Sequence, residues 1–362
     1  MKRRPLIVLT LTVFAFAGAT WLCWIFFQQS PEAATPQAVT RPSAPTQRPI
    51  TKNQPAEHTD PWPEFGTPEF KKLALERGKK WLESRGRDAA SLVAMWDVTG
   101  DEALLLEAAE KFPNDPRVCL GMIQHAGKDG TAALPWIERL IAAEPDNPNG
   151  HYLKVSALMR QKDSPGALIA LRAATALKGT LDDHLRDRIL TVREAALASG
   201  ARIREASYLA LLAPLSHTTA YQTFAGASRV LRAEIVAAKA AGDQGRLVEI
   251  ADLGMAVVAH ANGGASHSLV DELVGLTVEK AVLSELPGDT EFGVTGRTVS
   301  EQREELELRR ARMQEYLKQT NAAGEILDES SDAVYAEYAD RFLLHGERAA
   351  RTWLLEQFPP AK

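Results

Sequence analysis

His260 and His267 flank the stretch Ala261-Asn262-Gly263-Gly264-Ala265-Ser266, and Asp271 and Glu272 follow one helical turn beyond His267. Histidines gathered at a bend with carboxylates nearby are the raw material of a metal site. The spacing argues against one: no H-E-x-x-H or comparable ligand pattern is present, and a helix-end His260 with Ser266 as an N-cap accounts for the same residues. Ser266, His267 and Asp271 also supply a serine, a histidine and an acid. A nucleophilic triad converges from separate segments around an oxyanion site, and neighbours in sequence do not. The acidic turn Asp328-Glu329-Ser330-Ser331-Asp332 lacks what a calcium loop needs, a glycine at Ala333 and a bidentate acid at Ala339, and reads as a helix-capping turn. Cys23 and Cys119 are too differently placed for a disulfide within the folded part, and no C-x-x-C pattern occurs. No glycine-rich phosphate loop, G-x-S-x-G elbow or dinucleotide fingerprint is present. The reading is of a chain with no catalytic, cofactor-binding or metal-ligating residues.

The elements around these residues begin with an apolar segment. Lys2, Arg3 and Arg4 precede residues 6–27, 22 residues without a charge. As a helix rising about 1.5 Å per residue they reach roughly 33 Å, enough to span a hydrocarbon core. Trp21, Trp24, Phe26 and Phe27 gather at the far end, where an aromatic belt lies. Ala17-Gly18-Ala19 comes too early for a cleavage site, and Leu22 before Cys23 does not suit a lipoprotein signal. The expectation is an uncleaved anchor over residues 1–29 in an inner membrane. Its N-terminus is cytoplasmic and the remainder periplasmic or otherwise extracytoplasmic. Residues 30–68 carry nine prolines and no apolar periodicity. They read as an extended, disordered linker, with Trp62 and Phe65 as a strap that docks on the first helices.

Charge limits the partners. The chain has net charge −5, and without the three basic residues ahead of the anchor 39 basic residues face 47 acidic ones. That excludes general affinity for nucleic acid, which needs concentrated positive charge. Arg303, Arg309, Arg310 and Arg312 are the densest basic run. They alternate with Glu301, Glu304, Glu305 and Glu307 as on a solvated helix face, with Glu305–Arg309 at i,i+4 spacing.

The most regular stretch is residues 114–179. Asp115-Pro116 opens a helix to about His125, Lys128-Asp129-Gly130 makes a turn, and a second helix covers about residues 131–143 before Glu144-Pro145. The phrase then repeats: Asn147-Pro148, a helix to about Gln161, the turn 162–166, and a helix to Leu177 before Lys178-Gly179. Proline is tolerated in the first turn of a helix, and glycine just past its end. Leu120-Gly121, Ala133 and Pro145 are spaced by twelve, and closing residues recur at Pro113, Pro145 and Gly179, in steps of 32 and 34.

This pattern resembles the tetratricopeptide repeat in degenerate form, where a Leu-Gly pair lies in the first helix, a small residue in the second, and proline closes a unit of about 34 residues. Arg117 and Gln124 stand in place of the expected aromatics, and Val155 in place of a small residue. The resemblance implies a peptide- or protein-binding role carried by the first helix of each unit.

The remaining residues continue the helical pattern. An amphipathic first helix is expected from near Pro68, with Phe70, Leu73, Ala74, Trp81 and Leu82 on its apolar side, followed by helices over 89–98 and 102–112, the last with Asp101 as N-cap. Further ones are expected over 181–199, 202–212 (ended by Pro214), 218–241, 245–261, 266–286 and 300–320, this last with a capping box at Ser300. Two short ones over 332–344 and 347–357 close the chain, and no run alternates with period two. The expected fold is all-α: stacked antiparallel helical hairpins, a TPR-like α-solenoid, over residues 69–215, with a C-terminal helical region over 216–362 continuing or packing on them. The expected function is a membrane-anchored, extracytoplasmic scaffold for a protein or peptide partner. Its exposed first-helix residues are Arg117, Gln124, His151, Lys154 and Arg160. A cell-envelope hydrolase with its polar groups in 215–299 and a structural oligomerisation module are the alternatives. A deep polar pocket at His260 and His267 would mark the former, and self-association the latter.

Overall fold

The computed structural model describes residues 67–127, 129–179, 184–216, 219–263, 269–292 and 296–359. They belong to one compact unit, Pro55–Pro360. The expected anchor, the linker and the Trp62–Phe65 strap lie outside the described residues. Among the described residues no helix is long and apolar enough to cross a membrane, and the only β-type contact is an isolated antiparallel bridge between Glu291 and Thr298.

The described chain is all-helical. The first seven helices are α1 (Pro68–Ser84), α2 (Ala89–Thr99), α3 (Glu102–Lys111), α4 (Pro116–Ala126), α5 (Gly130–Ala143), α6 (Asn149–Arg160) and α7 (Ser164–Ala176). Their starts are written in aspartate. The carboxylates of Asp88, Asp101, Asp115, Asp129 and Asp163 each accept from a first-turn amide of α2, α3, α4, α5 and α7. Each satisfies a donor that the helix itself leaves free, worth about 1 kcal/mol. Then come α8 (Leu185–Ala198), α9 (Ile203–Ser216), α10 (Thr219–Ala241), α11 (Gln244–Gly263), α12 (Leu269–Glu285), α13 (Val299–Gln319), α14 (Ala323–Glu329) and α15 (Asp332–Gln357).

From α1 to α7 each helix packs on the next, joined by a short turn. The chain then leaves this order. Helices α8 and α9 pack on each other and return to the beginning, where α8 lies on α1 and α2. Helix α10 takes the place beside α6 that succession would have given α8, and α11 and α12 pack on α10. Buried side chains follow this arrangement. One core joins α1–α3 to α8, α9, α14 and α15, a second joins α4, α5 and α6, and a third joins α6 and α7 to α10–α13.

The last helix ties the two ends together. Helix α15 is broken at Gly346, whose φ of 84° an L-residue with a side chain rarely adopts. Beyond the break Ala350 and Leu354 enter the first core. On the same segment Arg348 donates to Glu272 of α12 (Nε–Oε1 2.7 Å), Glu347 accepts from the Leu269 amide (2.9 Å), and the Arg348 carbonyl accepts from Tyr316 of α13 (3.2 Å).

Four sequence readings are corrected. Pro214 does not end its helix: α9 runs through it to Ser216, since a proline this near the end removes one backbone bond without breaking a turn that others depend on. The capping box of α13 is not at Ser300. It is Thr298-x-x-Glu301, with Glu301 N donating to Thr298 Oγ1 and Thr298 N to Glu301 Oε2; the Thr298 backbone is extended, as a cap requires, while Ser300 is already helical. Of the α13 arginines read as a solvated face, Arg312 is exposed and Arg310 pairs with Glu307 along the helix, but Arg303 and Arg309 are not part of one. Arg303 donates to the Leu283 and Leu286 carbonyls at the end of α12, Arg309 pairs with the wholly buried Glu279, and Glu305 pairs with Arg297 rather than Arg309. With Val299, Leu306 and Met313 as its buried apolar anchors, α13 also holds α12 through guanidiniums at its edges. Helix α14, finally, covers Ala323–Glu329, where no helix is expected, and takes in the first two residues of the acidic turn.

Candidate partner-binding face

Helix α6 is where the expected binding residues and the packing meet. Tyr152 packs against Phe224 of α10 as a tilted pair, with ring centroids 5.2 Å apart. One turn on, Gly226 meets Ser156 so closely that a Cβ on the glycine would lie 2.3 Å from Ser156 Oγ and 2.8 Å from its Cα. One turn further, Arg160 lies within electrostatic reach of Arg229. Residue numbers rise together along both helices, so α6 and α10 are parallel neighbours, and the absence of a side chain at Gly226 sets how near they come.

The five expected residues fall into three groups. Arg117 and Gln124, two turns apart on α4, border α8. Arg117 is held by Asp115 of its own cap (Nη2–Oδ2 2.6 Å) and senses Asp187 of α8. Gln124 Oε1 accepts from Arg188 of α8 at 3.0 Å. That arginine is also bidentate on Asp97 of α2, at 2.7 and 2.6 Å, and stands 6.0 Å over the Trp96 ring. The Asp97 side chain is 1% exposed, so α8 is fastened across α2 and α4 by a buried ion pair. His184, at the start of α8, adds a contact to Glu144 after α5 (2.6 Å).

His151 and Lys154 form the second group, half-buried beside α5. Lys154 pairs with Glu138 at 2.6 Å, and burial, then the charge of Lys154, hold the His151 imidazolium below its usual range. The third group is Arg160 alone. It turns from α5 towards α10, its Nε is buried without a hydrogen-bond partner, and burial followed by Arg229 lowers its pKa.

Of the histidines considered for chemistry, His260 is described and fully engaged. Leu177 O can only accept, so His260 Nε2 carries the proton and donates to it at 3.1 Å; Nδ1 then accepts from the buried Tyr152 hydroxyl at 2.7 Å. Burial keeps the ring neutral by lowering its pKa. Both nitrogens serve to join α6, the end of α7 and α11, leaving no lone pair for a metal. Ser266 and His267 lie outside the described residues. Among the described residues no three His, Cys, Asp or Glu side chains gather as a metal site would require. Cys119 is buried, and burial pushes its thiol up to about 11, so it is a core residue rather than a nucleophile. Ser331, in the acidic turn, caps α15 by accepting from Val334 N.

Among the described residues one cleft of about 400 Å³ lies between α8 and α15, with Leu190 and Leu344 between Arg186, Arg341, Glu337 and Asp340. Sequence reasoning missed Arg229 and the Asp97–Arg188 pair. Arg229 is 69 positions from Arg160 in the chain, and only Gly226, a helix-interior glycine that implies a close neighbour, hinted at the contact. Neither a protein-family model nor a curated protein matches the chain.

Proposed function

We propose that the chain is a membrane-anchored, extracytoplasmic scaffold of TPR-like helical hairpins that binds a protein or peptide partner and carries no catalytic site. The observation that carries this reading is the parallel α6–α10 pair. First helices set side by side in one sense are what stacked hairpins produce, and such a row offers an extended face without needing a catalytic cleft. The small residues of the repeat pattern support it. Gly121 sits where a Cβ would come 2.9 Å from Leu105, and Ala133 is wholly buried. The engagement of His260 by Tyr152 and Leu177 argues against the hydrolase alternative.

The partner face under this reading is the α6–α10 row, with Lys154, His151 and Arg160 at its edge. Arg117 and Gln124 belong to the part that α8 covers. The test is site-specific photo-crosslinking of the full-length chain in its own membrane, with the crosslinker at Lys154, at Val236 of α10, which is 54% exposed, and on the opposite helix row at Ile169, which is 68% exposed. One protein adduct shared by Lys154 and Val236 and absent from Ile169 is expected. The same adducts from all three positions, or none, refute the scaffold.

A further inference from the structure

Half-buried arginines in this protein follow a rule with one exception. Arg188 has Asp97, Arg193 has Asp340, Arg246 has Glu234, Arg309 has Glu279, and Arg204 and Arg303 have backbone carbonyls. Among the described residues Arg160 alone is half-buried with no carboxylate, carbonyl or ring partner. Its only charged neighbour of note is another cation, Arg229, which is exposed and likewise unpaired. Desolvation, a like charge and an unsatisfied buried Nε all burden this one position, and each is unfavourable. The position of Arg160 in the last turn of α6 offsets part of this through the helix dipole. The packing compensates for none of the rest. The close approach of Gly226 to Ser156 brings together the two helices that carry Arg160 and Arg229, which lie one turn further on, within electrostatic reach of each other.

We propose that Arg160 and Arg229 are an oxyanion-binding pair that receives a carboxylate of an acidic peptide segment. An anion between them would convert the repulsion into two charge-assisted contacts, and a planar guanidinium matches a carboxylate in shape. Two cations on a chain of net charge −5 suit a single acidic group, whereas a nucleic-acid backbone needs a run of them. The inference rests on the α6–α10 face being the partner surface and specifies the chemistry of that partner.

The test is thermal melting of the full-length chain in detergent at low salt, with a hexaglutamate peptide and, separately, with inorganic phosphate. The chains compared are wild type, Arg160→Gln, Arg229→Gln and Arg232→Gln, the last removing an exposed arginine close by on α10. Hexaglutamate is expected to raise the Tm of wild type and Arg232→Gln and to leave the other two unmoved. Without peptide, Arg160→Gln should melt about 1–3 °C above wild type, because a desolvated, repelled charge is gone. A structural arginine would instead lower it. Equal peptide shifts in all four chains, no shift in wild type, or a marked fall in the Tm of Arg160→Gln overturns the pair. A shift with phosphate but not peptide overturns the peptide assignment. Should the Lys154 crosslink persist unchanged in Arg160→Gln and Arg229→Gln, the oxyanion pair fails while the scaffold stands.

Discussion

Replacing Asp97 tests whether α8 is held to the stack by its buried ion pair. The carboxylate is 1% exposed and the Arg188 side chain 13%, and they share two hydrogen bonds of 2.7 and 2.6 Å. Asp97→Ala removes the carboxylate that is bidentate on the Arg188 guanidinium, while Gln124 still accepts from it and Trp96 stays at the outer limit of a cation–π contact. Breaking such a pair from one side costs about 3–5 kcal/mol, chiefly the uncompensated charge. At about 2 °C per kcal/mol, the low end of the range because the chain is long, the melting temperature should fall by roughly 6–10 °C. Removing both charges with volume retained, in Asp97→Leu/Arg188→Met, should restore most of it, since the desolvation penalty disappears with the attraction. Circular-dichroism melts and urea titrations of the four members of the cycle measure this. Cys119 supplies a second readout in a Cys23→Ser background: its thiol, buried and shifted to about 11, is labelled by a maleimide only when the fold opens. Asp97→Ala within about 1 kcal/mol of wild type, or a double variant as unstable as the single ones together, would refute the reasoning.

Gly226→Ala should destabilise by about 1–3 kcal/mol through overpacking. Ser156→Ala should not rescue it, because the Cα and amide nitrogen of residue 156 remain 2.8 and 3.0 Å from the new methyl group; full rescue in a urea titration would show that the helices move apart freely. Stability should also fall as pH drops below the ordinary histidine value of 6.5. His260 and His151 both have folded pKa values held down by burial, so the unfolded chain takes up protons first; the stability is complete above 6.5 and is lost as pH falls towards the folded values. His260→Gln should flatten this slope in urea titrations across pH 5 to 8, and an unchanged slope would remove His260 as its source. Tyr152→Phe should cost about 1–2 kcal/mol by leaving His260 Nδ1 without its donor, and equal stability in the same titrations would show that water replaces the hydroxyl.

Local chemistry was legible in the sequence, and long-range pairing was not. The starts of α2, α3 and α4 could be read within a residue because an aspartate, proline or glycine acts on the amides beside it. Helix α8 could be read as a helix too, but Ile189, Val192 and Ala196 declare only that one side is buried, not against what. That the chain sends α8 back over α2 depends on Arg188 finding Asp97, 91 positions away, and two charged residues on separate helices look like surface in a sequence. The misplaced capping box has a similar origin. Thr298 and Ser300 are both competent caps, and the backbone turn that chooses between them is set by the buried Phe292 and the Glu291–Thr298 bridge. The candidate site divides the same way. Arg160 was singled out from its repeat position, while the neighbour that gives it chemical meaning comes from α10.

The segment after Gly346 has a mechanical consequence. A stack of helical pairs that touches only its neighbours stretches like a spring, each interface yielding a little under load. Here Ala350 and Leu354 grip the first core while Glu347 and Arg348 grip α12 and α13, so one short segment is a clasp between that core and the α12–α13 pair. A pull applied between the first helices and α13 loads this clasp through the Glu272–Arg348 pair, the Leu269–Glu347 contact and the Tyr316–Arg348 hydrogen bond together, so these have to part before the two regions can separate.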